Sequence, residues 1–471
     1  MSVTAFSRIP SLSLLAVLWL TACSLAPDYQ RPAAPLPTQW PQGEAYRTLK
    51  NASAAVPMGW RRLFTDARLR TLVEQALTNN RDLRVAILNI EKARAQYQVN
   101  GAAQFPTVSL GASNASARTP ASVSLLGVEA TTHRNDLNVG ITSYEVDLFG
   151  RVRNMKESAL AQYLATEEAR QSQELSLIAE VASSYLTLAA DKLRLKLARD
   201  TLDSQEASYR LTQARWQQGA AAQLDVYQAA TSVEAARADE ATYKSRVAQD
   251  INALELLIGA PLAESLQPPT ELAAIAELPP VPAQTPSDVL QNRPDVLQAE
   301  HMLRAANADI GSARAAFFPR ISLTAAAGVA SDSLSGLWRS GAEAWSLSPS
   351  VSLPLFDAGG NRARLDVTKA QYAIELARYE KTIQTAFREV ADALAEAGTL
   401  DERRRAQDAL ADASEHSYRI YEGRYRGGAD TYVNVLTAQR SMYAAQQQQI
   451  SVRLAQQINR VTLYKVLGGE R

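Results

Sequence analysis

Neither glycine nor proline occurs between Arg151 and Gln218, and this gap constrains the fold more than any other feature of the chain. An uninterrupted helix of about 65 residues would extend for about 100 Å, far beyond a helix of an ordinary globular domain. Apolar residues recur along it in steps of three and four, at Ile178, Val181, Tyr185, Leu188, Leu195 and Leu202, with Lys192 and Arg199 at two further seam positions. The sequence therefore predicts a long helix that needs neighbours along its whole length.

The two halves of the chain carry the same motifs. Asn80-Arg81-Asp82 precedes Phe105-Pro106, and Asn292-Arg293-Pro294-Asp295 precedes Phe318-Pro319 over the same distance. The tip motif Arg215-Trp216-Gln217-Gln218-Gly219 likewise returns as Arg424-Tyr425-Arg426-Gly427-Gly428. A period of about 210 residues is too long for a solenoid unit, so we infer a tandem duplication of one structural half.

Each half is predicted to contain a helix, two strands and a long helical hairpin. The first repeat covers 62–260 (strands within 106–148, helices within 151–258), a proline-rich linker covers 261–286, and the second repeat covers 287–471 (strands within 319–356, helices within 361–467). Gly398 predicts a break near the middle of the long helix of the second half, because glycine weakens helix interiors. Residues 23–61 form another proline-rich segment ahead of the first repeat.

The predicted strands alternate strictly between apolar and small polar residues. One face of the last strand carries Trp345, Leu347, Pro349, Val351, Leu353 and Leu355, and the other carries Ser346, Ser348, Ser350 and Ser352. Apolar-out and polar-in segments of about ten residues are typical of a water-filled transmembrane barrel, although a soluble sandwich alternates in the same way. Two hairpins supply four strands, too few to enclose a pore, so several chains must share one barrel.

The start of the chain has the layout of an export signal. Residues 1–22 contain Arg8 and an apolar run from Leu12 to Leu20, and Leu20-Thr21-Ala22-Cys23 ends at the only cysteine. This resembles a bacterial lipoprotein signal, which is cut before the cysteine; Cys23 would then receive a diacylglycerol and an N-acyl chain. A serine, Ser24, and not an aspartate, follows the cysteine, as in lipoproteins that are sent to the outer membrane. The alternative is an ordinary signal peptide with an incidental cysteine.

Composition and motifs disfavour several other classes of function. The 49 basic residues balance the 49 acidic ones, so no net charge attracts nucleic acid. After residue 23 no stretch reaches the roughly 18 apolar residues of a membrane-spanning helix. His133, in a predicted hairpin loop, and His301 and His416, on predicted helices, are too scattered for a metal site, and no P-loop or nucleophile elbow occurs. We expect no catalytic residues, no metal and no cofactor apart from the lipid.

Several motifs resemble those of one known family. They are Ala26-Pro27-Asp28-Tyr29-Gln30-Arg31-Pro32, Gly311-Ser312-Ala313-Arg314-Ala315-Ala316-Phe317-Phe318-Pro319, Ile383 to Leu394, and Leu467-Gly468-Gly469. The chain is similar to the TolC-like outer-membrane factors of tripartite efflux, in particular the lipidated OprM-type branch that serves RND pumps.

The resemblance implies a mainly α-helical fold with a β-barrel. Three copies would supply four strands each to a 12-stranded barrel in the outer membrane of a Gram-negative bacterium, continuous with a long α-helical barrel in the periplasm. The proline-rich segments would form a belt around it. An adaptor (membrane fusion) protein and an inner-membrane RND pump would be its partners, and drugs or other small toxic compounds would pass through it to the exterior.

The two glycine turns mark the helical tips, where such a channel would close. By helical position the candidate gate residues are Leu224, Asp225, Val433, Asn434, Thr437 and Arg440, and the candidate tip or adaptor contacts are Arg215, Gly219, Arg424, Tyr425, Gly428 and Asp430. Relatives often have an acidic residue where Thr437 stands. Its absence argues against a ring of acidic residues at that position and leaves Asp225 and Asp430 as candidate substitutes. Solvated side chains near a turn are the simpler alternative.

Two other functions share many of these features. A type I secretion duct for proteins has the same fold, and a periplasmic lipoprotein adaptor or structural coiled-coil protein would also be exported and helical. The adaptor would normally carry one helical hairpin with flanking β domains, whereas this chain predicts two hairpins, each preceded by strands.

Overall fold

The computed structural model describes residues 24–37, 39–46, 59–124, 127–269 and 287–469. The predicted signal peptide, Cys23 and most of the proline-rich linker 261–286 lie outside the described residues. None of the helices in the described part of the chain is both long and apolar enough to cross a membrane.

The two halves contain the same succession of elements. In the first, helices α1 (Trp60–Leu63), α2 (Ala67–Asn79) and α3 (Arg81–Ala102) precede strands β1 (Val108–Thr119) and β2 (Ala130–Glu145) and helices α4 (Arg151–Gln217) and α5 (Gln223–Ile258). In the second, α6 (Pro294–Ala315) precedes β3 (Arg320–Ser331), β4 (Glu343–Ser352), α7 (Gly360–Arg426) and α8 (Tyr432–Val466). The predicted tandem repeat is confirmed.

The long helices α4 and α7 contain 67 residues each. The predicted break at Gly398 is wrong, because α7 continues through it. A single helical glycine costs only about 1 kcal/mol relative to alanine, which packing on either side can offset. Leu394 and Leu400 are buried, and Asn459 Nδ2 donates to the carbonyl oxygen of Ala393 at 2.9 Å.

The strands of both halves form one antiparallel sheet in the order β1-β2-β3-β4. The pairing of the strands places the apolar residues of all four strands on one face of the sheet and the small polar residues on the other, as the alternation predicts. One row across all four strands is apolar, namely Leu110, Val139, Ala327 and Trp345, and the neighbouring row is Ser109, Gly140, Ala326 and Ser346. Leu353 lies beyond the end of β4, although it was predicted as part of that strand.

His133 lies in β2 rather than in the predicted loop, so that prediction is wrong. Its Nδ1 is 2.9 Å from Ser116 Oγ on the paired position of β1. The residues around it are polar and small, and the segment lacks the apolar alternation by which the other strands were recognised.

Glycines on the polar face allow close approach of neighbouring strands. A Cβ on Gly140 would lie 2.5 Å from the carbonyl oxygen of Ala325, and one on Gly328 would lie 2.1 Å from that of Leu137. No larger residue fits there without moving the backbone, so the sheet depends on glycine at both positions. A bulge near Ser143, which has a φ of 51°, shifts the pairing of β2 with β3 between Ile141 and Tyr144, just after Gly140 in the chain.

The chain divides into two compact units, and each combines segments of both repeats. Unit 1 comprises residues 1–33, 89–167 and 298–379 and contains the sheet; unit 2 comprises residues 34–88, 168–297 and 380–471. The repeats are therefore not the compact units, because strands of both halves pair in one sheet and helices of both halves pack in one core.

The largest core lies in unit 2. Phe64 and Leu72 pack against Tyr185 of α4 and Ile258 of α5, all fully or almost fully buried. The Tyr185 hydroxyl donates to Asp66 Oδ2 at 2.7 Å, and burial, followed by this carboxylate, raises the pKa of Tyr185. The core thus ties α1 and α2 to the long helices.

Lys192, a polar residue on the predicted apolar seam of α4, binds the start of the linker. Its Nζ donates to Gln267 Oε1 at 2.8 Å and to the carbonyl oxygen of Pro268 at 3.2 Å. Burial lowers the pKa of Lys192. Lys192 interrupts the apolar seam of α4 because the loop at Gln267 and Pro268 binds there.

The repeated Asn-Arg motif makes the same kind of connection in both halves. Asn80 Nδ2 donates to the carbonyl oxygen of Leu257 at the end of α5, at 2.9 Å. Arg293 Nη1 donates to the carbonyl oxygen of Val466 at the end of α8, at 2.8 Å. Each motif therefore ties the helix before the strands to the end of the returning helix.

Two carboxylates lie close together where α4 and α5 pack. Asp191 Oδ1 accepts from Arg194 Nη1 at 2.6 Å, and Arg194 Nη2 donates to Ser451 Oγ of α8 at 2.8 Å. Burial, reinforced by the charge of Asp191, raises the pKa of Asp250 to about 6, while Arg246 and Arg194 oppose the shift. Ionised Asp250 is therefore unfavourable in the folded chain.

Asp250→Asn is expected to stabilise unit 2 at pH 8 by about 1 to 2 kcal/mol, less than the full equivalent of the pKa shift because solvent screens this partly exposed group. Because the folded state binds the Asp250 proton more tightly than the unfolded state, parent stability falls as pH rises from about 4 through about 6 and becomes constant near pH 7. The asparagine variant lacks this fall. Unfolding followed by circular dichroism between pH 4 and 8 measures it, with exposed Asp203→Asn as control. Identical pH profiles for parent and Asp250→Asn would contradict the prediction.

Candidate functional site

The two helical tips have the same backbone. Gly219 and Gly428 have φ of 73° and 77°, in the left-handed region that favours glycine. The N–H groups of Gly219 and Ala220 donate to the carbonyls of Trp216 and Arg215, both at 2.8 Å. Gly428 and Ala429 repeat the pair of bonds with Tyr425 and Arg424. A Cβ on either glycine would meet nothing within 4 Å, so conformation and not space requires glycine here.

At the first tip, Asp225 caps the start of α5. Its Oδ2 accepts from the backbone N–H of Ala222, the N-cap residue, at 3.2 Å. Leu224 beside it is 63% exposed. The Asp225 carboxylate thus has a local structural role, and Leu224 is the apolar side chain that this tip presents to its surroundings.

At the second tip, Asp430 organises the turn. Its Oδ2 accepts from Arg424 Nε at 3.0 Å, and its Oδ1 accepts from Asn434 Nδ2 at 2.7 Å and from the N–H of Thr431 at 2.8 Å. The bond from Asn434, followed by those from Thr431 and Arg424, lowers the pKa of Asp430. Asp430 is therefore ionised at neutral pH and engaged within its own turn.

An aromatic cluster connects the second tip to α4. The Tyr432 side chain is buried, its hydroxyl is 3.1 Å from Ser208 Oγ, and its ring centroid is 5.4 Å from that of Tyr425. The Arg215 guanidinium lies 4.9 Å from the Tyr425 ring centroid, within cation–π range. Tyr209, Tyr418 and Tyr421 complete the cluster. The tips of both repeats are thus joined by aromatic packing.

The gate candidates on α8 share one exposed face. Val433, Thr437 and Arg440 are spaced by four and three residues and are exposed, whereas Tyr432, Val435, Leu436 and Gln439 are buried. Thr437 Oγ1 donates to the carbonyl oxygen of Val433 at 2.9 Å. Thr437 and Asn434 also line a groove of about 320 Å³ between α7 and α8, together with Tyr421 and several serines.

Some of the predicted tip residues contact one another in the structure, and others do not. It joins Arg215 to Tyr425 and Arg424 to Asp430, and Arg440 Nη2 lies 3.5 Å from Ser232 Oγ of α5. Asp225 and Asp430, the possible acidic substitutes for Thr437, each bind within their own turn. Sequence reasoning missed Tyr432, Tyr418 and Tyr421, although the spacing of Tyr418, Tyr421 and Tyr425 along α7 was a usable signal. Cys23 lies outside the described residues.

Comparisons with known proteins identify the class. The family model described as "Outer membrane efflux protein" matches residues 72–260 and 285–469. The chain is 48% identical over 451 residues, 96% of this chain and 93% of the relative, to the antibiotic efflux pump outer membrane protein ArpC of Pseudomonas putida. The same values hold for the toluene efflux pump outer membrane protein TtgC of Pseudomonas putida.

A solved structure agrees. The open state of the MtrE outer membrane channel of Neisseria gonorrhoeae superposes with a TM-score of 0.82 and 35% identity, covering 95% of this chain and 98% of that one. The fold is thus that of a TolC-like outer-membrane channel. The chain belongs to the outer membrane efflux protein family, and it is a protein of the outer membrane that acts in efflux and extends into the periplasm.

Proposed function

We propose that three copies of this chain form the exit channel of a tripartite RND-type efflux pump. The observation that carries this proposal is the sheet: β1 and β4 are its edges, and its apolar face is exposed at Leu110, Trp345 and Val351. Edge strands in a membrane need partners, and four strands cannot enclose a pore. Pairing of β4 of one copy with β1 of the next closes a barrel without edges.

The proposed cargo is small apolar or amphipathic molecules. The named relatives export toluene and antibiotics, and the polar face of the sheet carries small serine, glycine and alanine side chains that discriminate little. The channel itself conducts passively, and an inner-membrane pump supplies the energy for export. A duct for secreted proteins shares the fold but is not favoured by these relatives.

The tips are the proposed meeting point with a periplasmic adaptor protein. The groove beside Asn434 and Thr437 and the exposed turns at Gly219 and Gly428 are accessible there. Adaptor binding would shift a population of closed tips towards an open state that already exists. The aromatic cluster would hold the closed arrangement.

Oligomeric mass in detergent, measured together with conductance in a planar bilayer, tests this function. A trimer that conducts ions supports the proposal. A detergent-independent monomer without conductance would instead support the adaptor alternative, and a channel that restores export of a protein substrate but of no drug would support the secretion duct.

Val433→Asp is expected to open the resting channel. In the proposed trimer three aspartates would meet in a narrow, partly desolvated ring, where like charges repel more strongly than in bulk water. Single-channel conductance should rise, and cells carrying the channel should become sensitive to vancomycin. Ile420→Asp, an equally drastic change at an exposed apolar position of α7, is the control and should change neither. Unchanged conductance and sensitivity at normal trimer levels would place the constriction elsewhere.

A further inference from the structure

Residues 24–31, which we call the N-terminal strap, lie along one face of α6. The strap runs antiparallel to the helix, so that its later residues meet the start of α6 and its first residues meet the end. The α6 residues involved follow a spacing of four, three, four and three, which places them on one face. They are Glu300, Arg304, Asn307, Gly311 and Arg314.

The first strap residues are held by hydrogen bonds near the sheet. Ser24 Oγ donates to Asn154 Oδ1 of α4 at 2.8 Å, and Arg314 Nη1 donates to the carbonyl oxygen of Leu25 at 3.0 Å. Asn307 Nδ2 donates to the carbonyl oxygen of Pro27 at 2.8 Å. Asn154 lies in the first turn of α4, just after β2, and Arg314 lies in the last turn of α6, just before β3. The strap therefore begins beside the ends of two strands.

Gly311 forms a notch for the strap backbone. A Cβ at this position would lie 2.7 Å from the backbone nitrogen and 2.8 Å from the Cα of Ala26. Side chains do not approach backbone atoms so closely, so only glycine admits the strap in this place. This explains the glycine of the motif Gly311-Ser312-Ala313-Arg314 in the middle of a helix, where glycine is otherwise unfavourable.

Glu300 anchors the other end of the strap. Its side chain is 3% exposed and accepts from Arg31 Nη2 at 2.5 Å, from Arg304 Nη2 at 2.7 Å and from the Tyr29 hydroxyl at 3.4 Å. The Arg304 guanidinium also lies 5.0 Å from the Tyr29 ring centroid. Burial and the charge of Glu300 raise the pKa of Tyr29 to about 12, so the phenol remains a donor. A buried carboxylate with charged partners of this kind is costly to disrupt.

The strap occupies the side of α6 that faces away from the polar face of the sheet. Glu145, Arg320 and Ser352 of that polar face line a recess of about 800 Å³, which is completed by Asp309, Ser312 and Ala316 of α6. At 100° per residue these α6 residues lie opposite the strap-binding stripe. The strap is therefore on the side of α6 away from this recess.

We propose that this stripe of α6 is a docking seat that holds the acylated N-terminus beside the ends of the strands, so that lipid and sheet enter the membrane in register. The inference rests on the proposed lipidation of Cys23, the residue before Ser24. A free strap of eight residues would let Ser24 move by about 28 Å, whereas in the docked strap Ser24 is held by its hydrogen bond to Asn154. Gly311 and Glu300 act here as positioning residues.

A spin label on Asp28→Cys in the full chain tests the docking. The label should be immobile in the parent, mobile in Gly311→Val and partly mobile in Glu300→Gln. Ser312→Val is the control, because it introduces valine at a neighbouring α6 position outside the strap-binding stripe, and its label should stay immobile. A mobile label in the parent, or an immobile one in folded Gly311→Val, would overturn the proposal. Two labels per chain would show that Cys23 carries no lipid, which would overturn the positioning of a lipid by the seat but not the docking of the strap.

A double-mutant comparison tests whether the seat acts through the lipid. Cys23→Ser, exported with a cleavable signal, and Gly311→Val should each reduce the assembled fraction in the outer membrane. The double variant should lose no more than the worse single variant, because an undocked strap no longer uses the lipid. Losses that multiply would mean that the strap only supports helix packing, and the proposed positioning of the lipid would be rejected.

Discussion

Val351→Arg is expected to impair assembly in the outer membrane, while Ser350→Arg leaves most of it intact. Val351 pairs with Ile321 on the apolar face of the sheet and is 68% exposed in the single chain. Val351 is the next-to-last residue of β4, so the cost of arginine there is at most that of the lipid-facing midplane of a barrel, about 2 to 4 kcal/mol, and each of three copies would carry it. The assembled fraction is measured as heat-modifiable trimer on unboiled gels.

Ser350→Arg is the matched control, since it lies next in sequence but on the opposite face. Its Oγ is 2.7 Å from Ser322 Oγ, so the substitution loses one exposed hydrogen bond, about 1 kcal/mol at most. Leu353→Arg should be intermediate, because this residue lies beyond the end of β4. Equal trimer yields for all three variants would mean that the apolar face does not contact lipid.

The faces of the sheet could be predicted from sequence because each strand with alternating residues specifies its own orientation. Trp345, Leu347 and Val351 all lie on the face that alternation assigns to them. The same rule failed at His133, since the first part of β2 contains no apolar residue except Ala130 and is stabilised by pairing with β1. Pairing partners are tertiary information that a local pattern does not contain.

Helix continuity shows the same limit. The absence of glycine and proline predicts α4 correctly, whereas Gly398 does not interrupt α7. One unfavourable residue is small against the packing of a helix along its whole length. The tip glycines were recognisable because two similar motifs, each an arginine followed by an aromatic residue and ending in glycine, ended two long helices, and both turns require a left-handed residue.

Contacts between distant segments could not be predicted. The strap binds α6 across 271 residues of sequence at Tyr29 and Glu300, and the Ser208–Tyr432 contact joins the two repeats. Gly311 and Arg314 were recognisable as part of a motif, but their role depends on a segment far away in the chain. The gate assignment remains a prediction, because it concerns contacts among copies of the chain.

Arg293→Ala is expected to destabilise unit 2 by about 2 to 3 kcal/mol. This is less than the cost of about 3 to 5 kcal/mol for a fully buried ion pair, because the Asp295 and Glu389 side chains are 32% and 37% exposed. Arg293 is 8% exposed; its guanidinium binds Asp295 at 3.0 and 2.8 Å, Glu389 at 2.9 Å and the carbonyl oxygen of Val466 at 2.8 Å. Alanine would leave two carboxylates without their shared cation and the end of α8 without its donor. The change is measured as a shift of the guanidinium unfolding midpoint in detergent.

Arg81→Ala is the control for this prediction, because Arg81 occupies the equivalent place in the first repeat but is exposed. It should change the midpoint little, whereas Asn80→Ala should cost about 1 to 2 kcal/mol by removing a bond to Leu257 and the cap on Leu83. Arg293→Lys keeps the charge but cannot reach all three partners at once, so it should lie between parent and alanine. An Arg293→Ala midpoint equal to that of Arg81→Ala would show that the end of α8 is held by its apolar contacts alone, and that the repeated Asn-Arg motif does not connect the helices of each half.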